Sequence, residues 1–378
     1  MTENPLRRLR ELGQSVWYDY IRRDLITTGR LETLIREDAL AGMTSNPTIF
    51  QKAIAETDLY DEDIRRLAGE GKSTAEIFEG LAVADIQSAA DAFRPVFDAS
   101  GGDDGFVSIE VAPQLARDTE RTIAEARRLW RECGRDNVMV KIPATAEGIP
   151  AIRKCLAEGI NINITLLFSV DRYREVMEAY LSAMEERVAA VAPVARIRSV
   201  ASFFVSRVDT NADKKLDALI KNASSDRKKQ QAKWLRGRLA IANARIAYEV
   251  FEGVFREARF ATLRRRGVAL QRPLWASTST KDPAYPDLYY VEALIAPDTV
   301  DTLPPETLEA YRDHGDPKIR IAEGLADARR VFEGLREAGI DEKQIFRELE
   351  EEGVRKFSES SAALLKAVAE KEKAVRVA

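Results

Sequence analysis

The sequence predicts an α/β protein, a (β/α)8 TIM barrel with inserted and C-terminal helices, and three observations lead there. Short runs with strand alternation recur about eight times, separated by segments with helical spacing. That order implies parallel βαβ units. The clearest strands are apolar on one face only, whereas strands of an open doubly wound sheet are usually apolar on both. Their polar residues gather toward the C-terminal ends, where barrels of this kind build their sites.

Along the chain, Ser15-Val16-Trp17-Tyr18-Asp19 sets Trp17 and Asp19 on one face. Leu40-Ala41-Gly42-Met43-Thr44-Ser45-Asn46-Pro47 ends in polar residues, and Pro47 opens a helix containing Ile49, Phe50, Ala53 and Ile54. Gly101-Gly102-Asp103-Asp104-Gly105 is a turn before Phe106–Val111, where Ser108 and Glu110 oppose Val107, Ile109 and Val111. Ile123, Ala126 and Trp130 form a helical stripe. In Asn137–Pro143, Val138, Val140 and Ile142 share one face, and Met139 and Lys141 the other. Pro150 is expected to open the next helix, with Ile149, Ile152 and Leu156 in line and Gly159 at its stop. Asn161, Asn163 and Thr165 alternate with Ile160, Ile162, Ile164 and Leu166. Ser169 caps a helix with Asp171 in its first turn and Tyr173, Val176, Tyr180 and Met184 in a stripe. Val200–Val205 pairs Ser202 with Phe204, and Asp209–Arg238 reads as inserted helix after the sixth strand. Leu274–Ser277 is a seventh strand and Asp298–Leu303 a weaker eighth. Residues 1–314 are therefore expected to form the barrel, and 315–378 a helical extension packed on it within one domain. Its stripes are read as Ala322, Leu325, Ala328 and Phe332, then Ala363, Leu364, Ala367 and Val368, with Glu370–Ala374 frayed.

Composition removes several classes of function. A net charge of −4 argues against nucleic acid as the main partner, and the basic run Arg227, Lys228, Lys229, Lys233, Arg236 and Arg238 reads as a solvated helix face. No apolar stretch approaches the ~20 residues that span a membrane. Met1-Thr2-Glu3-Asn4-Pro5 lacks the apolar core of a signal peptide, and the two cysteines, Cys133 and Cys155, suggest a reducing compartment. A cytoplasmic protein is expected. His314, the only histidine, lies at a helix end without a nucleophile beside it, so a histidine-based triad or zinc site is not expected. There is no glycine-rich phosphate loop of either common kind. No cofactor or metal is expected.

Lys141 carries the chemistry. A lone strand lysine could be a solvated strand end, but Asp19, Asn46, Glu110, Thr165 and Ser202 gather at the other strand ends. An enclosed amine gives up its proton more readily and attacks carbonyls. The resulting imine is an electron sink for breaking a neighbouring C–C bond. Its formation and hydrolysis need a proton shuttle, for which Glu110, Thr165 and a water are suited. Asp19 could take the proton of the substrate hydroxyl that becomes an aldehyde. Each residue alone has a structural alternative. Asp19 could pair with Arg22 or Arg23, Asn46 could shape the turn before Pro47, and Ser202 and Thr165 could fill the barrel.

The segments Gly42–Phe50, Val138–Ile149, Asn161–Ser169 and Ser202–Asp209 together resemble transaldolase segments, and the resemblance covers nearly the whole chain. It implies transfer of a dihydroxyacetone unit from a ketose phosphate to an aldose phosphate in the non-oxidative pentose phosphate pathway. Separately, a monomer or homodimer is expected, with sugar phosphates as its partners. By the resemblance, Lys141 is the Schiff-base lysine, Asp19 and Glu110 the acid/base carboxylates, and Thr165 the partner of the catalytic water. Asn46, Ser202 and Phe204 match substrate-positioning residues, and Arg207 a phosphate-binding arginine. Shorter transaldolases place a second phosphate-binding arginine soon after the seventh strand. This chain reads Ser277-Thr278-Ser279-Thr280-Lys281-Asp282-Pro283 there, as in the long, bacterial-type branch. Ser277 and Lys281 are expected to take the phosphate role. Two rivals remain: a fructose 6-phosphate aldolase, whose relatives look shorter and lack a glutamate at the place of Glu110, and a non-catalytic sugar-phosphate binding barrel.

Overall fold

The computed structural model describes residues 4–377. The first three residues of the segment read for a signal peptide lie outside it, as does Ala378. Eight parallel strands close a barrel in sequence order: β1 (Gln14–Asp19), β2 (Gly42–Thr44), β3 (Phe106–Glu110), β4 (Val138–Pro143), β5 (Ile162–Leu167), β6 (Ser199–Phe204), β7 (Gln271–Ala276) and β8 (Thr299–Leu303). The expected barrel is present, weak eighth strand included. Closure gives every strand two neighbours, so no edge is left to pair elsewhere. Trp17 of β1 lies opposite Gly42 of β2, and a Cβ at Gly42 would come within 2.5 Å of the indole. Glycine is required there for the ring to fit.

Local signals explain several helix starts. Asn46 caps Pro47–Ala55 by accepting the Ile49 N–H, and Ser169 caps Val170–Ala189 through the Arg172 N–H. Gly159, in the left-handed region at φ 95°, stops Gly148–Glu158. That helix starts at Gly148, not at Pro150, because the Thr145 hydroxyl accepts the Gly148 N–H at 3.0 Å. The insertion after β6 is two helices, Ser206–Lys221 and Asp226–Leu235. The first starts earlier than Asp209 and carries Arg207 in its first turn. Arg227, Lys228, Lys229 and Lys233 are exposed.

The C-terminal part differs from the sequence reading in detail. Ala322 is exposed and precedes its helix, Leu325–Glu337, whose buried face is Ala328, Val331, Gly334 and Leu335. In the helix Glu342–Val377, Ala363 is exposed while Leu364, Ala367 and Val368 are buried. Glu370–Ala374 does not fray: Val375 is 5% exposed, and Lys371 lies 2.9 Å from Asp58 and 3.0 Å from Asp61. This helix crosses the C-terminal end of the barrel. A Cβ at Gly353 would be 2.9 Å from Leu166, just past Thr165. Among the described residues no helix is long and apolar enough to cross a membrane.

Candidate active site

Glu110 and Lys141 face each other in register at the C-terminal ends of β3 and β4. The Lys141 ammonium donates to the Ser45 carbonyl at 3.0 Å and lies 3.6 Å from Glu110 Oε2. That distance is an ion pair without a hydrogen bond. Both side chains are about 7% exposed, and neither Glu110 oxygen has a hydrogen-bond partner among the described residues. Burial pushes the Glu110 carboxyl up to about 7, against the pull of Lys141.

Asp19 ends β1 and accepts the Thr44 hydroxyl at 2.7 Å. Thr44 and Thr302 hydroxyls are 2.8 Å apart, so Thr302 must donate to Thr44 once Thr44 has given its proton to Asp19. Burial raises the Asp19 carboxyl above its usual range, with Lys141, Thr44 and Arg207 pulling it back. Neither expected arginine partner reaches it: Arg22 pairs with Asp24, and Arg23 with Asp63 and Asp85.

Thr165 is fully buried and its hydroxyl has no partner among the described residues. The next residue, Leu166, sits at φ 54°, and the pairing of β5 with β6 shifts register between Ile164 and Leu167. Such irregularities re-aim side chains beside sites. Here the break falls inside β5, around Thr165 and Leu166, and sets Leu166 against Gly353. Ser202 Oγ donates to Asn163 Oδ1 at 2.6 Å, and Asn163 donates to Ser108 Oγ at 3.0 Å. This chain of bonds ties β6 to β3 across the interior.

The Arg207 guanidinium stands 5.0 Å from the centre of the Phe204 ring and has no carboxylate within ion-pair distance among the described residues. Burial lowers its proton affinity only from a very high starting value, and it stays a cation. Ser277 shares a hydrogen bond with Ser206 at 3.0 Å, and Lys281 donates to Ser279 at 2.6 Å. One cavity of about 840 Å³ is lined by Asp19, Asn46, Lys141, Thr165, Ser202, Phe204, Arg207, Ser277 and Lys281. Of the site residues singled out in the sequence, only Glu110 is not on its wall; it meets the cavity through Lys141, 3.6 Å away.

Sequence reasoning missed several residues. Thr44, Ser45 and Asn163 stood inside quoted motifs, and the parity that marked Asp19 and Lys141 also marked Thr44 and Asn163. Thr302 belongs to the weak eighth strand. Lys356, Phe357 and Ser360 of the C-terminal helix form part of the wall, and nothing local in that helix announces it. His314 lies away from the cavity, its ring nitrogens 3.2 Å from Asp287 and Asp313. Cys133 and Cys155 are buried free thiols, pushed up to about 12 by burial and so poor nucleophiles.

A sequence model described as transaldolase/fructose-6-phosphate aldolase matches residues 16–368. The chain belongs to this family. It is 49% identical to the transaldolase of Saccharopolyspora erythraea, with 98% of each chain covered. It is 48% identical to the transaldolase of Frankia alni and 45% identical to transaldolase 2 of a Nostoc species, with 97% of each chain covered in both cases. The similarity spans the barrel and most of the C-terminal helix. The chain is therefore an enzyme of the transaldolase class, as its motifs implied.

Proposed function

We propose that the enzyme moves a dihydroxyacetone unit from fructose 6-phosphate or sedoheptulose 7-phosphate to glyceraldehyde 3-phosphate or erythrose 4-phosphate, through an imine on Lys141. The observation that carries this reading is the buried Lys141–Glu110 pair, whose carboxylate has no hydrogen bonds of its own, at the inner end of a cavity that also holds unpaired Arg207.

The Lys141 amine adds to the substrate keto carbon, and the carbinolamine loses water to give the imine. Glu110, with a group pKa of about 7, gives and takes the protons of these steps through a water held by the Thr165 hydroxyl. Asp19 removes the proton of the hydroxyl at C4. The C3–C4 bond breaks, its electrons pass into the imine as an enamine, and an aldehyde leaves. The enamine then attacks the acceptor aldehyde, and Asp19 returns its proton to the new alkoxide. Water hydrolyses the imine and frees Lys141. Asn46, with its carbonyl oxygen spent on the helix cap, has its NH2 left to donate to sugar hydroxyls. Arg207, Ser277 and Lys281 hold the phosphate.

With these substrates, the proposed role is in the non-oxidative pentose phosphate pathway of the cytoplasm. Incubation with fructose 6-phosphate and borohydride should add a reduced dihydroxyacetone unit to the Lys141 peptide, and Lys141→Ala should abolish it. An unmodified wild-type peptide would leave a binding protein. Erythrose 4-phosphate should greatly accelerate turnover of fructose 6-phosphate; equal turnover without an acceptor would make the enzyme an aldolase.

A further inference from the structure

The loop after β7, Ser277-Thr278-Ser279-Thr280-Lys281, alternates in what its side chains touch. Ser277, Ser279 and Lys281 line the cavity. Thr278 and Thr280 are bonded elsewhere. The Thr280 hydroxyl lies 2.8 Å from the Pro286 carbonyl and 3.0 Å from that of Asp287. Thr278 donates to Asp301 Oδ1 at 2.9 Å, and both Thr278 and Asp301 are fully buried.

Asp301 has no part in the chemistry described above. It stands on β8 next in sequence to Thr302, yet it does not line the cavity. Among the described residues its Oδ2 has no hydrogen-bond partner, and Thr278 is its one bonding neighbour. Burial pushes the carboxyl up to about 8, so it is largely uncharged near neutral pH. Burying such a group costs stability unless it is hydrogen-bonded, and the Thr278 hydroxyl supplies that bond on Oδ1. Beside Thr278, Ser277 is held at φ 57°, a left-handed conformation that favours glycine. Its carbonyl accepts the Ser206 N–H at 3.0 Å, which fixes it next to Arg207. Strained residues persist where their surroundings over-determine them.

Resting on the reading of this cavity as a sugar-phosphate site, we infer that Asp301 is a positioning residue that acts through Thr278 to hold Ser277, Ser279 and Lys281 toward the substrate phosphate. Thr278→Val removes the hydroxyl at nearly constant volume. It is expected to raise the KM for fructose 6-phosphate and the Kd for inorganic phosphate about tenfold, with kcat changed by less than about twofold. Borohydride trapping of Lys141 by dihydroxyacetone, which carries no phosphate, should be unaffected. Thr278→Ser and Asp301→Asn keep the bond and should resemble the wild type, while Asp301→Leu should resemble Thr278→Val. Phosphate affinity untouched by Thr278→Val, or the same loss in Thr278→Val and Thr278→Ser, would overturn the inference. So would a parallel fall in dihydroxyacetone trapping. Should Asp301→Leu fail to fold, the Thr278 pair still decides. A wild type that traps no imine would sink the transfer chemistry instead, and phosphate binding by the Thr278 variants would still judge the loop.

Discussion

Glu110 and Asp209 are both buried carboxyls that burial pushes up to about 7, yet their surroundings differ. Asp209, on the helix after β6, accepts the Ala240 N–H at 2.8 Å on one oxygen and the Tyr290 hydroxyl at 3.0 Å on the other. Its neighbour Asp213 likewise accepts the Gly237 N–H at 2.9 Å and the Tyr285 hydroxyl at 2.7 Å. Together they tie the helix Ser206–Lys221 to the start of Leu239–Arg256. Glu110 has no such bonds, only Lys141 at 3.6 Å. A raised carboxyl pKa thus reports burial in both places. Between these two, the carboxyl with both oxygens unspent and the amine beside it is the one poised to pass protons, and the one bonded on both oxygens is a strut.

Exchanging the two roles is the strongest test. Glu110→Gln should lower kcat roughly 10²–10⁴-fold in the coupled assay without lowering the thermal midpoint. Asp209→Ala should do the reverse, losing about 1–3 kcal/mol in urea unfolding because the Ala240 N–H and Tyr290 hydroxyl lose their acceptor, with kcat nearly intact. An Asp209→Ala enzyme as inactive as Glu110→Gln would break the comparison.

Arg207→Lys keeps the charge but loses the planar fork over Phe204, so KM for phosphorylated donors should rise about tenfold with kcat retained. Thr44→Val takes away a donor that favours ionised Asp19. The Asp19 carboxyl should rise further, moving the acidic limb of the pH–rate profile to higher pH and lowering kcat up to about tenfold at neutral pH. The last test is on stability. Glu110 titrates near 7 when folded against an ordinary 4.5, so the folded state holds more protons across that window. Its contribution to stability is complete below pH about 4.5, falls as pH rises toward 7 and is level above. Thermal midpoints of Glu110→Gln measured across this range should lack that slope; an unchanged slope would assign it to another group.

The strands were legible because alternation is local. Val138–Ile142 states its two faces in five residues, and that parity set Lys141 beside Glu110 once the strands were taken as neighbours. Caps were legible for the same reason at Asn46 and Ser169. The start at Gly148 was not, because its acceptor, Thr145, lies outside the helix and competes with the familiar signal of Pro150. The supposed fraying of Glu370–Ala374 failed on contacts with Asp58 and Asp61, which lie some three hundred residues earlier in the chain.

The sequence by itself determined the barrel, the face on which its polar residues stand and the family, since periodicity and contiguous motifs are properties of neighbouring residues. Only the tertiary structure decided that Ser45 holds the amine, that Thr302 backs Asp19 through Thr44, and that the C-terminal helix walls the cavity. An apolar stripe records that a helix is buried on one side and says nothing of which surface covers it. Closure of the barrel and docking of that helix bring together groups far apart along the chain, and the spacing between them arises only when the whole core packs.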